Sequence, residues 1–172
     1  MYKLLSCIAI LFLSLQASAQ KSYTVSKDPE NGSQVFKGEL KLEDLSAEPT
    51  FGWYTKGLSS YAPDSTAVKY LRTRLPKYTV ITLMGTWCED SQNLVPKLAK
   101  TLQAAGFPMS QFSLYGVDRS KKTNGVEAQT YNVKLVPTII IFRGTEEVGR
   151  IVETVKDNIE NDLAQIILKA EG

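Results

Sequence analysis

The sequence predicts an α/β fold, a mixed central sheet with helices on both faces, preceded by an N-terminal extension. Three observations predict it. Apolar, β-branched runs at 78–84, 112–117 and 138–142 have the length and composition of buried strands. Helical patterns alternate with them. Arg143-Gly144-Thr145-Glu146 then turns the third run into a fourth at 147–153, an antiparallel hairpin. The order helix, strand, helix, strand, helix, strand, strand, helix needs a mixed sheet with helices on both sides.

Each element has its own signal. Residues 20–33 are polar, with Asp28-Pro29 and Asn31-Gly32 as turn signals and Tyr23 to Val25 as a short strand. Gln34 to Leu42 alternates loosely, as a strand or hairpin arm does. Phe51, Tyr54 and Leu58 fall at helical spacing within Glu48 to Leu58, with Ser46 as cap and Pro49 in the first turn. Ser65 caps a helix to about Leu75, with Ala67, Val68, Leu71 and Leu75 on one face, and Pro76 stops it. Ser91 to Ala105 is helical, with Leu94, Val95, Leu98 and Leu102 inward and Gly106 ending it. Asn124 to Tyr131 is a short helix. Asp157 caps a last helix to about Lys169.

The chain has 172 residues, and the first 19 have the form of a secretory signal peptide. Lys3 is its basic end, Leu4 to Leu15 its apolar run, and Ala17-Ser18-Ala19 its cleavage site. That run is shorter than the roughly 20 residues that span a bilayer, so no membrane contact is expected after cleavage. Cys7 is lost with it. Leu4-Leu5-Ser6-Cys7 lacks the preceding apolar segment of a lipid-anchor site. The domains expected are then 1–19, 20–64 packed as an extension on the core, and 65–172 as the α/β domain. Export implies a periplasmic or secreted protein.

Net charge is +2 with no basic block, which points away from nucleic acid and lipid surfaces. The chain contains no histidine, which excludes Ser-His-Asp and Cys-His catalysis and His-ligated zinc. Cys88 alone remains after cleavage, so a cysteine-rich zinc site within one chain is excluded too. Neither a metal nor a cofactor is expected. An odd thiol in an exported domain is either intermolecular, as in a dimer joined through Cys88, or reactive.

Cys88 lies in Trp87-Cys88-Glu89-Asp90-Ser91, between a buried strand and a helix. A helix N-terminus offers unpaired N–H groups and the positive dipole end, which favour the thiolate, the reactive form. Glu89 and Asp90 oppose this by like charge, worth about 1 kcal/mol at 4 Å in water. Cys88 also has a plain reading as a small buried hydrophobe. Ser91 is either a hydroxyl donor to the thiolate or an ordinary helix-start serine. Asp90 is either a first-turn carboxylate favoured by the dipole or a proton acceptor for a thiol. Trp87, Trp53, Tyr54 and Tyr61 either line a groove beside the thiol or belong to the core.

Trp87-Cys88 between strand and helix, with Val136-Pro137-Thr138 before Ile139-Ile140-Ile141-Phe142, the hairpin Arg143 to Arg150, and Pro96 inside the helix, resembles the thioredoxin family over about Ser65 to Lys169. Trp87-Cys88-Glu89-Asp90-Ser91 further resembles exported thioredoxin-like proteins of Bacteroidetes-type bacteria. The resemblance implies the thioredoxin fold, a nucleophilic Cys88, and a cis peptide before Pro137 lying across from the thiol. It also implies that Trp87, Glu89, Val136 and Pro137 meet an extended substrate chain. Three departures stand out. Ser91 replaces the family's second cysteine, Glu89-Asp90 replaces its frequent Gly-Pro, and Thr82 occupies the position of its buried aspartate.

The leading function is therefore thiol–disulfide exchange through a mixed disulfide at Cys88. The partners would be extracytoplasmic thiol or disulfide proteins, or a low-molecular-weight thiol. Whether the site turns over, as an oxidoreductase or isomerase, is left open by the missing resolving cysteine. The alternative is a non-catalytic peptide-binding module on the same fold. An iron–sulfur site shared with an external thiol is a third reading, disfavoured by export and by the acidic pair.

Overall fold

The apolar runs form one six-stranded sheet in this computed structural model, which describes residues 22–172. The segment 1–19 expected to be a signal peptide, with Cys7, lies outside the described residues. The strands are β1 (Tyr23–Lys27), β2 (Gln34–Leu40), β3 (Thr79–Met84), β4 (Phe112–Gly116), β5 (Thr138–Arg143) and β6 (Glu146–Val152). Their spatial order is β1-β2-β4-β3-β5-β6. Only β3 and β4 pair in parallel, and the helix between them supplies the crossover that such a pair needs.

Among the described residues six α-helices accompany the sheet: α1 (Leu42–Ala47), α2 (Gly52–Ser60), α3 (Ser65–Arg74), α4 (Glu89–Ala104), α5 (Glu127–Thr130) and α6 (Ile159–Glu171). Alternation along β3 divides them between two layers. Val80 and Met84 face a core built from α3, α4 and α6 at one end and from α1, α2 and α4 at the other. Ile81 and Leu83 face the opposite side, where they meet Val117, Ala128 of α5, Val133, Val136 and Ile140. The mixed sheet covered on both faces is the α/β architecture the sequence predicts.

The N-terminal extension enters the sheet rather than lying on it. β1 and β2 form a hairpin whose turn uses both predicted signals: Gly32 N–H donates to the Asp28 carbonyl at 2.8 Å, and Gly32 has φ +73°. β2 then pairs antiparallel with β4, setting Gly38 opposite Gly116. The strands approach so closely there that a Cβ on Gly116 would overlap the Phe36 carbonyl oxygen.

Several local expectations are corrected. The helix expected over 48–58 starts only at Gly52, as α2, and a separate helix not expected from the sequence, α1, precedes it. Pro49 disfavours the α region for the residue before it, and Glu48 is extended, with φ −85° and ψ 114°. Ser46 therefore lies in the last turn of α1 and caps nothing. Asp64, not Ser65, caps α3 by accepting from Ala67 N–H at 2.8 Å. Asn158, not Asp157, caps α6 by accepting from Asn161 N–H at 2.9 Å. In both cases the capping side chain sits one residue from the one expected, and both candidates are good caps. The short helix expected over 124–131 contracts to the four residues of α5.

A buried carboxylate ties the helical layer together. Glu160, in the first turn of α6, accepts from Tyr61 OH at 2.7 Å, Asp64 N–H at 2.7 Å and Thr101 Oγ1 at 3.3 Å. It thereby links α6 to the ends of α2 and α3 and to α4. Burial, and then the Glu160 carboxylate, push the Tyr61 hydroxyl well above its ordinary range.

Candidate functional site

β3 delivers the chain to Met84, and a tight turn hands it to α4. Cys88 closes that turn: its N–H donates to the Gly85 carbonyl at 3.0 Å, and its own carbonyl accepts the first helical bond from Gln92 N–H at 2.9 Å. Cys88 is thus the N-cap residue of α4 in extended conformation, with φ −94° and ψ 123°. Its side chain makes no capping bond. The half-buried, free thiol instead donates to the Val136 carbonyl oxygen, with Sγ at 3.2 Å. The sulfur therefore looks across to the proline loop rather than into the helix N-terminus. The Val136–Pro137 peptide is cis.

The turn is fixed from beneath. Thr86 Oγ1 donates to the Gln34 carbonyl at 2.8 Å and accepts from Phe36 N–H at 3.1 Å, so β2 holds the turn before the thiol. Gln92 Nε2 donates to the Thr86 carbonyl at 2.8 Å. Ser91 is fully buried, and its hydroxyl accepts from Gly85 N–H at 3.2 Å. That hydrogen bond joins Ser91 to the turn, not to Cys88 Sγ. Glu89 and Asp90 are exposed at the start of α4.

The structure brings Trp87, Cys88 and Val136 into one cluster with the cis proline beside them. It does not bring the other aromatics there. Trp53 and Tyr54 pack with Phe51, Val95 and Ala99 around α2 and α4, and Tyr61 is committed to Glu160. Of the four aromatics singled out in the sequence, Trp87 is the one that packs in the thiol's cluster, which also holds Tyr115, Tyr131 and Phe142. A cleft of about 700 Å³ lined by Leu40, Tyr54, Leu58, Phe107 and Phe112 contains none of the thiol-site residues.

Residues 69–167 match the family model described as Thioredoxin. The chain belongs to the thioredoxin family. It is similar to Thioredoxin H2-1 of Oryza sativa subsp. japonica, with 32% identity over 87 residues, 51% of this chain and 59% of that protein. It is similar to Thioredoxin-2 of Pyricularia oryzae, with 30% identity over 76 residues, 44% of this chain and 41% of that protein. These matches thus span less than two thirds of either relative's length. A solved structure of a protein of unknown function from Pseudomonas aeruginosa aligns over 76% of this chain and 84% of that one, at 16% identity and a TM-score of 0.48.

Within the thioredoxin family frame, the three departures take physical form. Thr82, at the position of the buried aspartate, is fully buried, and its hydroxyl has no hydrogen-bond partner among the described residues. Ser91 offers an oxygen where a resolving sulfur would stand. The acidic pair is solvated. Among the described residues no group of three or more His, Cys, Asp or Glu side chains is placed to hold a metal ion. No helix among them is long and apolar enough to cross a membrane.

Sequence reasoning missed a cluster beside the thiol. Arg119 lies with its guanidinium 4.5 Å from the centre of the Trp87 ring, and Lys121 Nζ lies 5.2 Å from it. The Trp87 indole N–H donates to the Val117 carbonyl at 2.9 Å. Arg119 is held by the β1–β2 turn, 91 residues away in sequence: Nε and Nη2 reach the two Asp28 oxygens at 2.8 and 3.1 Å, and Nη1 reaches Glu30 at 2.7 Å. The Arg119 hydrogen bond, helped by Glu30 and Asn31 N–H groups and opposed by burial, holds the Asp28 carboxyl below its ordinary range. The only hint in the sequence was the basic stretch Arg119-Ser120-Lys121-Lys122, which has the ordinary look of a solvated loop.

Proposed function

We propose that this protein carries out thiol–disulfide exchange in an extracytoplasmic compartment, by forming a mixed disulfide at Cys88. The Cys88 thiol gives its proton to solvent. Its sulfur attacks one sulfur of a substrate disulfide. The Cys88–substrate S–S bond forms, the substrate S–S bond breaks, and the departing thiolate takes up a proton. Ser91 cannot attack the new bond, so release needs a second substrate thiol or a low-molecular-weight thiol. One sulfur suits isomerisation, thiol capture or substrate holding better than net reduction.

The observation that carries this reading is the pairing of Cys88 Sγ with the Val136 carbonyl at 3.2 Å, beside the cis Pro137. In this reading the half-buried thiol borders the backbone of the Val136–Pro137 segment, which follows the exposed Lys134 and Leu135, and membership of the thioredoxin family supports the same chemistry. Trp87, Glu89, Val136 and Pro137 would meet the substrate chain, and Asp90 would serve an incoming thiol.

The test uses a disulfide-containing peptide and mass spectrometry under non-reducing conditions. A peptide adduct on Cys88 is expected, and none on Cys88→Ser. Insulin reduction with a dithiol donor should be absent in the wild type and should appear in Ser91→Cys, which restores a second sulfur. Wild-type turnover at a rate equal to that of Ser91→Cys would refute the single-thiol mechanism. Peptide binding that survives Cys88→Ser with no adduct in the wild type would favour a non-catalytic binding module.

A further inference from the structure

The β1–β2 turn is anchored next to the thiol by more contacts than a sheet edge requires. Asp28 has no exposed side-chain surface, accepts from Glu30 and Asn31 N–H groups at 2.9 and 3.1 Å, and meets Arg119 with both oxygens. A carboxylate so placed is matched by the planar guanidinium fork. The loop carrying Arg119 is equally constrained. Asp118 accepts from Lys37 Nζ at 2.7 Å and from Lys122 N–H at 3.0 Å, and Lys121 has φ +58°. Lys121 Nζ also donates to the Arg119 carbonyl at 3.1 Å.

The guanidinium is thus fixed against the indole, one residue along the chain from Cys88. Trp87 packs in the same cluster as Cys88 and Val136, so the indole carries the guanidinium to the border of the thiol site. Two of its five N–H donors are left over by the three bonds to Asp28 and Glu30. Glu30 is itself largely exposed. An anionic group arriving at the thiol would find the remaining Arg119 donors and the Lys121 ammonium on the Trp87 side, while Glu89 and Asp90 lie at the helix start.

We propose that Arg119 is a specificity-determining residue of the thiol site and that Asp28 is its positioning residue: Asp28 holds the guanidinium over Trp87, and the guanidinium favours thiol and disulfide partners with a carboxylate near the reacting sulfur. This rests on the reading of Cys88 as a reactive thiol. It adds the class of partner and the structural source of the preference, the N-terminal hairpin.

The experiment compares alkylation of Cys88 by iodoacetate and by neutral iodoacetamide in the full chain at low ionic strength. Arg119→Gln should lower the ratio of the two rates about twofold to fivefold, the size of one unit charge acting in water from roughly 4 to 8 Å. Salt at about 0.5 M should remove most of that difference. Arg119→Lys should recover most of the ratio. In a Trp53→Phe background, acrylamide quenching of Trp87 should rise in Asp28→Asn and in Arg119→Gln, and no further in the double variant, because both act through one contact. The double variant removes the charge pair together and strands no buried charge, so it keeps the test decisive if a single variant fails to fold.

A ratio unchanged in folded Arg119→Gln, or no lower in the double variant than in Asp28→Asn, would overturn the charge preference. Additive quenching would overturn the positioning role of Asp28. Failure of the wild type to capture a peptide disulfide would instead count against the proposed function, and the two alkylation rates remain measurable in that case.

Discussion

Thr82 is a buried polar side chain of β3, the strand that leads into the thiol turn. It pairs with Leu114 of β4, is fully buried, and its hydroxyl has no partner among the described residues. A buried polar group without a partner costs about 1–3 kcal/mol. Thr82→Val replaces it with a methyl of the same shape and similar strand preference. Stability to urea should therefore rise by about 1–2 kcal/mol. A loss of stability would show that the hydroxyl has a partner such as a buried water.

Asp28 gives the second prediction at this scale. Its carboxyl is held below its ordinary value of 3.8, chiefly by the Arg119 hydrogen bond. As pH falls, the unfolded chain takes up this proton before the folded one does. The stabilisation is therefore complete above about pH 4 and lost as pH falls through the lower folded value. Asp28→Asn should cost stability at pH 7 and cost less at pH 2.5. Urea midpoints at the two pH values check this, and an equal cost at both would contradict it.

At the scale of elements, α2 and α4 meet through the smallest available surface. A Cβ on Gly57 would lie 2.6 Å from Cγ of Pro96 and 2.8 Å from its Cβ. The proline sits inside α4, where it has no N–H to give to the helix. Its ring is rigid and cannot move aside as the end of a long side chain would. Gly57→Ala gains about 1 kcal/mol of helix preference, but overpacking of a close contact costs about 1–3 kcal/mol. A net loss is expected, read as a lower Tm. A higher Tm would mean that the helices separate at little cost.

For the whole molecule, the question is whether the N-terminal hairpin is an appendage or part of the cooperative unit. Phe36 of β2 stacks on Tyr23 at 4.6 Å between ring centres and lies 4.9 Å from Phe51. The same cluster holds Met84, Val95 and Leu114 of the central strands and α4. Phe36→Ala should cost about 3–5 kcal/mol. Unfolding should remain a single transition, with circular dichroism and tryptophan fluorescence coincident. An early transition of the hairpin with an unmoved main midpoint would mark β1 and β2 as separately stable.

The sequence by itself determined the alternation of elements, because the apolar period is a local property: Thr79–Met84, Glu89–Ala104 and Thr138–Arg143 each lie within two residues of their predicted bounds. It also determined the thioredoxin-like order and the position of Cys88 at the junction of strand and helix. Single caps were less legible, since Asp64 and Ser65, or Asp157 and Asn158, are adjacent residues of similar capping power. Only the tertiary structure decided what surrounds the sulfur. Sheet order places β2 beside β4, and so sets Asp28 against Arg119 and Thr86 against Gln34. It also turns Cys88 Sγ toward Val136 and buries Ser91 under the turn. These contacts join residues 6 to 91 positions apart. Local pattern encodes period and turn chemistry, whereas the partner of a polar side chain is set by which strands become neighbours.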